Sequence, residues 1–541
     1  MSRLTLIVAA MLTGVVTLAP AAAQERETRK SVAPYIEVGQ VLLADLQRDE
    51  VTTYTTLAAG VDAAYATRRV QGQVSYRYEH RIGYDDDLAD GSIHSGLARV
   101  GIQATPGVSF EAGALAARAR NDIRGVSLPN GAAGDVANVN QLFSVFAGPT
   151  LSTQAGDATI AAAYRFGYNK VESSDRLSGV PANQQPLDLF DDSITHLATV
   201  SVGTRPDQLL PVGLTANATW VREDAGQLDQ RFDDKFVRLD ATLPVSRDLA
   251  VVGGIGYEKL EISQRDPLVD ATGATVVDGD GRFVTAEGSP RRLAYQTDGI
   301  FWDAGVLWRP SARTSLEARA GRRYDSTIYT GAFSYQMSRQ SAMAISVYNA
   351  VQSFGRGLND ALALLPTAFA TQPDPFGNQF GGCVFGTGGQ AGGCFNPVLN
   401  AITTANFRAR GVDAIISTRV SAWQFGVGGG YANRRYLVPP ANVPAGATLF
   451  GVVDELYYVQ GFLGRDLGAR SAVALNLFGN LTDSGIAGAP DVWGSGANGS
   501  WSYNWGRFGA IASAGLFTSD IEGPGGEDVA AQAALGMRYS F

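Results

Sequence analysis

The chain has 541 residues, length enough for three or four ordinary domains, and carries 43 Lys and Arg against 52 Asp and Glu, a net charge of −9. That scattered acidic balance excludes a nucleic-acid binder, which needs a clustered basic face. Mean hydropathy is −0.02, and beyond the amino end no apolar run reaches the roughly 18 residues of a spanning helix. The amino end reads as an export signal: Arg3, an apolar core over 4–18, and the small residues Ala21, Ala22 and Ala23 before Gln24. Residues 1–23 are therefore expected to be a cleaved signal peptide, and 24–541 the mature chain.

From there the sequence alternates. A first strand is expected over 34–46. The next, 53–65, sets Thr55, Leu57, Ala59, Val61 and Tyr65 on one face and Thr56, Ala58, Gly60 and Asp62 on the other. A turn at Arg68 and Arg69 leads into the clearest strand. Val70, Gly72, Val74, Tyr76 and Tyr78 share one face, and Gln71, Gln73, Ser75, Arg77, Glu79 and Arg81 the other. Three charges in successive same-face positions suit a water-filled lumen, not a soluble core. The pattern recurs around 158–169, 236–243, 302–308, 423–431 and 471–478. Its lumenal faces add Arg165, Arg238, Asp240, Glu317, Arg319 and Arg323. Leu97 and Ile415 break it, being apolar residues on the inward face.

Connections alternate between short turns and longer polar loops rich in Asp, Gly and Pro. Eleven longer connections imply about 22 strands, with 20 to 24 admissible, in a single all-β, antiparallel up-and-down transmembrane barrel. Lipid offers no partner to an open strand edge, so the ring must close. Only residues 24–33 precede the first strand, too few for a separate plug domain. The longest connection, 352–407, is the candidate to constrict the lumen, and a surface cap is the equal alternative. It contains a helical pattern over 358–365 closed by Pro366, then Cys383 and Cys394 in a Gly-rich bed. Two close cysteines in an exported chain predict a disulfide, worth about 3 kcal/mol in the chain-entropy model.

The sequence's motifs carry little chemistry. Gly494-Ser-Gly-Ala-Asn-Gly499 matches a dinucleotide fingerprint but leads into alternating Ser500-Trp501-Ser502-Tyr503, a strand without the helix N-terminus a phosphate needs. Asp278 and Asp280 begin a calcium-loop pattern that Arg282 and Ser289 do not continue. Asp85, Asp86, Asp87 and Asp90 read first as a solvated loop and second as a cation bridge to lipopolysaccharide phosphates. His80, His94 and His196 form no catalytic constellation; the last two each follow closely on an Ile at a strand start, an interfacial position. No enzyme activity, metal or cofactor is expected. In a pore, the ten charged positions Arg77, Glu79, Arg81, Arg165, Arg238, Asp240, Glu317, Arg319, Arg323 and Arg538 would set selectivity. In a filled barrel they would pair and hold the wall.

The chain ends on Val529, Ala531, Ala533, Leu535, Met537, Tyr539 and Phe541, every second residue apolar. That ending resembles the C-terminal assembly signal of Gram-negative outer-membrane barrels. The stretches 34–41 (PYIEVGQV), 76–82 (YRYEHRI) and 293–310 (LAYQTDGIFWDAGVLWRP) resemble a group of large alphaproteobacterial outer-membrane barrels, similar in build to those associated with exopolysaccharide secretion. Proteins of this look sometimes carry the label of the small auxiliary subunit of the preprotein translocase, a short single-span protein unlike this chain. The resemblance implies an outer-membrane location, contact with lipid and lipopolysaccharide, assembly by the barrel-assembly machinery, and passive or gated passage of solutes such as saccharides or exopolysaccharide. The alternative is a non-conducting barrel that acts through its outer loops.

Overall fold

The structure, a computed structural model, describes residues 29–47, 49–84, 91–120, 139–172, 188–206, 210–371, 380–439, 449–486, 491–521 and 526–541. The expected signal peptide and the Asp85–Asp90 cluster lie outside these residues. Twenty-two antiparallel strands form one sheet in which each strand pairs with its sequence neighbours. The first, Arg29–Asp45, pairs along its whole length with Glu50–Ala66. Its other edge takes the last strand, Gly526–Ser540, from Tyr35↔Ser540 to Asp45↔Ala530, and this closes the ring. Among the described strands the one incomplete joint is between Ser326–Tyr335 and Ser341–Gln352, which pair only from Gly331↔Val347 to Tyr335↔Met343.

Alternation explains why these residues form this wall. On Gln230–Pro244, Val237, Leu239 and Leu243 are exposed on the outside while Arg238 and Asp240 are buried inside. Trp493 and Trp501, both outward on Val492–Trp505, lie eight residues apart. At about 3.3 Å per residue and a tilt near 40°, that is roughly 20 Å along the barrel axis, close to the ~25 Å apolar band of a membrane barrel. Aromatic rings mark both edges of the band. At the short-turn end Trp501, Tyr503, Trp505, Phe508, Tyr539 and Phe541 run in contact. At the long-loop end Tyr431 meets Tyr457 and His196 stacks on Trp220. The wall is a membrane-spanning β-barrel.

Eleven connections lie at the long-loop end, but not all are long. The first connection leaves Asp45 and re-enters the wall at Glu50, and 226–229 and 324–325 are tight turns, with positive φ at Asp49, Leu228, Asp229, Tyr324 and Asp325. Two acidic or polar residues suffice to reverse a strand when one of them takes the left-handed region, and a composition-based reading of loop length misses this. The first strand also begins earlier than expected, at Arg29 instead of residue 34.

Between Ser341–Gln352 and Asn406–Val420, which pair up to Gln352↔Phe407, the chain leaves the wall and folds inside it. Helix α1 (Phe354–Leu364) begins at Ser353, whose side chain accepts from Arg356 N. It stops before Pro366, which disfavours helical geometry in the residue ahead of it. A two-stranded hairpin follows, Cys383–Phe385 with Gly392–Cys394, and then the short helix α2 (Asn396–Leu399). Phe354, Leu358 and Leu362, spaced four apart on one face of α1, are fully buried against Leu97, Leu115, Leu142 and Phe146 of the wall. A dry core therefore sits inside a barrel whose lumen the alternation marks as polar.

Candidate functional site: the occluded lumen

Segment 353–405 spans the lumen from wall to wall, and its contacts divide into three seats. The first holds the start of α1. The Glu223 carboxylate accepts from the Ser353 hydroxyl and from Arg356 N at 3.2 Å. An acid placed at the first turn of a helix also meets the positive end of its dipole. Gly355 lies so close to Ser193, Glu223 and Asn169 that any side chain there would overlap them, and Gly167 makes the same room for Asn359. Arg165 reaches Asp360 of α1 at 2.8 Å.

The second seat holds the end of the helix. Arg99, almost fully buried, donates through Nε to Leu365 O at 3.1 Å and through Nη2 to Ala363 O at 2.9 Å. A cation is thus placed on the last carbonyls of α1, which have no partner within the helix. A little further on, Gln73 grips Phe369 as a strand would, accepting its N–H at 3.0 Å and donating to its carbonyl at 2.9 Å.

The third seat lies on the opposite wall. The Cys383–Cys394 disulfide joins residues that face each other in the hairpin and rests on Trp423–Leu437, a strand with Gly426, Gly428 and Gly430 on its inner face. A Cβ at Gly428 would come within 2.7 and 2.9 Å of the two sulfurs. Phe385 lies over Gly426 against Phe462, with ring centroids 4.7 Å apart. Gln460 accepts from Cys383 N at 2.6 Å and Ser417 donates to Gly386 O at 2.6 Å. Arg434, paired with Asp454, donates to Ala401 O at 3.3 Å where the segment returns to the wall.

All ten charges singled out in the sequence are paired. Arg77 bridges Glu37 and Glu79, and Arg81 joins Glu79. Arg238 and Arg319 share Asp240 and Asp303, and Arg319 also takes Glu317. Arg323 makes a two-point contact with Glu258. Arg538 pairs with Asp62 beneath Tyr35, and Arg165 alone among the ten reaches the inner segment. The sequence reading missed Arg99, Glu223, Arg434 and Asp454, which do most of the gripping. Its one usable signal was the pair of exceptions. Leu97 packs under α1 and Ile415 beside the disulfide hairpin.

At the long-loop end, Asp188 ties three connections together. It accepts from Gln227 Nε2 at 2.7 Å and Phe283 N at 3.0 Å, and also bonds Thr404 at the end of the inner segment. Burial pushes its carboxyl up to about 7, against the pull of these donors.

His80 lies near Ser92, while His94 and His196 bond Tyr76 and Tyr164 at the aromatic edge. None has the nucleophile and acid a hydrolase needs. Among the described residues no group of His, Cys, Asp and Glu is arranged to hold a metal ion. Gly494 to Gly499 lie within a barrel strand, and Asp278 caps its own turn by accepting from Asp280 N and Arg282 N.

No protein-family model and no curated protein matches the chain. Solved structures do. The FrpB iron transporter from Neisseria meningitidis (F5-1 variant) is 10% identical over 94% of this chain and 82% of that one, with a TM-score of 0.44. The ferric-catecholate import receptor Fiu from E. coli K12 is 10% identical over 95% and 82%, with a TM-score of 0.43. The siderophore receptor PiuA from Acinetobacter baumannii is 9% identical over 94% and 82%, with a TM-score of 0.41.

Proposed function

We propose that the chain is an outer-membrane barrel of a Gram-negative bacterium that passes solutes under the control of segment 353–405. Short turns and the carboxyl end then face the periplasm, and the long connections face outward. The observation that carries this reading is how the segment is held. Wall side chains grip its main chain through hydrogen bonds (Arg99, Gln73, Gln460, Ser417 and Arg434), contacts that water can replace one at a time as the segment moves.

For the solute, we infer a neutral, hydroxyl-rich class such as a saccharide, up to exopolysaccharide. Nine of the ten lumenal charges named above pair with other wall residues, and the strands near the closing seam present amides and hydroxyls. Examples are Asn476 with Asn498, and Gln532 with Tyr54. Lipid and lipopolysaccharide surround the wall, and the barrel-assembly machinery would read Leu535, Met537, Tyr539 and Phe541.

One observation favours the second reading, a non-conducting barrel acting through its outer surface: the apolar core around α1 binds the segment as a soluble protein binds a helix. Conductance in planar bilayers separates the two. The intact chain is expected to be closed or to flicker, and replacement of 353–405 by a short linker to give large steady openings. If both forms are silent, the barrel does not conduct.

A further inference from the structure

We propose that the joint between Ser326–Tyr335 and Ser341–Gln352 is a two-state element of the wall, parted while α1 is docked and zipped up to the long-loop rim when α1 leaves its seat. The inference deepens the control of passage proposed above, and depends on that reading only for what undocking does to a solute. The two strands pair from Tyr335↔Met343 to Gly331↔Val347 and then separate, although both continue, to Ser326 and to Gln352. Among the described residues no backbone hydrogen bond joins 326–330 to 348–352. Each keeps its other neighbour, Thr314–Arg323 on one side and Asn406–Val420 on the other.

Beyond the joint, the strand leading to α1 leaves the lipid. Val347, Asn349 and Val351 share one face by period two. Val347 is 38% exposed, opposite the outward Val412, but Asn349 is only 6% exposed and Val351 2%. Val351 belongs to one apolar cluster with the inward residues Val221, Phe232, Leu260 and Ile262, and with Ile328 from the inner face of the other strand. Arg408, opposite Val351, lies on the ring of Tyr324 at the tip of the neighbouring hairpin. The end of Ser341–Gln352 is therefore tucked to the lumen side of its neighbour, and it carries Ser353 and the start of α1 with it.

Continued upward, the existing register would set Tyr348 opposite Thr330, Asn349 opposite Tyr329, Ala350 opposite Ile328 and Val351 opposite Thr327. The faces agree: Asn349 and Val351 would join Tyr329 and Thr327 outside, and Tyr348 and Ala350 would join Thr330 and Ile328 inside. Thr, Ile, Tyr and Val on both sides suit a ladder. Val351 cannot lie in the inner cluster and on the outer face at once, so zipping and docking exclude each other. The docked state also leaves groups without partners. The two strand edges have no ladder, and the buried Arg408 Nη2 and Tyr348 hydroxyl have no hydrogen bond. Zipping pairs the edges and returns Arg408 to the outer rim. The seat of α1 opposes it, through Glu223 on Ser353 and Arg356 at one end and Arg99 on Leu365 at the other.

The test is disulfide trapping in the full-length chain, folded in mild detergent as heat-modifiability on gels checks. Tyr329→Cys with Asn349→Cys reports the zipped register, and Thr327→Cys with Val351→Cys, the next outward pair, carries the same test if the first variant does not fold. Phe333→Cys with Ile345→Cys, opposed in the existing ladder, is the control that cross-links in every background. Bridging under a mild copper oxidant is read by peptide mass spectrometry. We expect the bridge between positions 329 and 349 to form about tenfold faster, or more, once Arg99→Met removes the clamp on the end of α1. Against its own unbridged form, the bridged chain should exchange amide hydrogen faster over 354–364 and more slowly over 348–352. General loosening would move both in one direction. Equal bridging rates with and without Arg99→Met, or a bridge that leaves exchange over 354–364 unchanged, overturn the switch. A bridged chain that frees 354–364 and stays silent in planar bilayers refutes the passage reading instead.

Discussion

Arg99→Met removes the clamp on the end of α1 while keeping an apolar stem of similar length. Two bonds from a charged donor to the inner segment are lost, those to Leu365 O and Ala363 O. A bond of this kind contributes about 1.5 to 3 kcal/mol net. The lower end applies here, because carbonyls freed by movement of the segment regain water, so the pair is worth about 3 kcal/mol. At 1.4 kcal/mol per factor of ten, the population of barrels with a displaced segment rises about a hundredfold. Single-channel recording reads this directly as the fraction of time open. Arg419→Met is the matched control, since Arg419 pairs with Asp466 at the half-exposed short-turn end, away from the segment. Should Arg99→Met fold into a heat-modifiable barrel and stay within threefold of the parent, the clamp does not hold the lumen closed.

Four further outcomes follow from the same contacts. Gly428→Val drives a branched side chain into the disulfide and should lift the hairpin, seen as faster reduction of Cys383–Cys394 by a hydrophilic reductant in the folded barrel. Cys383→Ser with Cys394→Ser should cost about 3 kcal/mol in hairpin stability and raise hydrogen exchange over 380–395 more than in the wall. Arg238→Met leaves Asp240 and Asp303 to share Arg319 alone, which should lower barrel stability by about 2 to 3 kcal/mol and leave the hold on 353–405 unchanged. The Asp188 carboxyl, held at about 7 when the loops are docked and near 3.8 when free, binds its proton more tightly in the docked state. Docking is therefore strongest at acid pH, weakens as pH rises from about 4 to 7, and is flat above that, a span worth about 4 kcal/mol at most. Proteolysis of loop 265–291 should accelerate as pH rises from about 4 to 7 and level off above that, and Asp188→Asn should flatten the profile.

The wall was legible in the sequence because lipid and water impose period two on every strand, and several inward charges have a partner two residues along the same strand. Arg238 with Asp240, and Glu317 with Arg319, are visible as same-face neighbours before any coordinates. The inner segment was not legible. Its seats draw on Gln73, Arg99, Glu223, Gln460 and Arg434, residues from strands hundreds of positions apart, each of which looks like an ordinary lumenal side chain. Only a helix hint and a cysteine pair marked the segment itself, and neither says on which side of the rim it lies. Leu97 and Ile415 did say so. An inward apolar residue in a water-filled barrel is unfavourable unless something dry covers it, so such exceptions locate whatever occupies the lumen.

On the reading proposed above, how the segment is attached limits how it would open. Its ends leave the wall at Gln352 and rejoin it near Asn406, where Gln352↔Phe407 are paired partners, so they remain a strand spacing apart in every state. A plug on such a loop cannot leave by the periplasmic end. It can only swing out through the long-loop rim or yield on one seat while held at the others. The seats differ in degree: the α1 face buries Phe354, Leu358 and Leu362 among Leu97, Leu142 and Phe146, whereas the hairpin sets Phe385 and the disulfide against Phe462 and Ile415 over a bed of glycines and adds hydrogen bonds to its main chain. Apolar contacts lose their full transfer energy on exposure, while hydrogen bonds are largely replaced by water. The hairpin seat should therefore release first, opening a path along the glycine face of Trp423–Leu437 while α1 stays docked, and deletion of the hairpin alone should conduct less than deletion of all of 353–405.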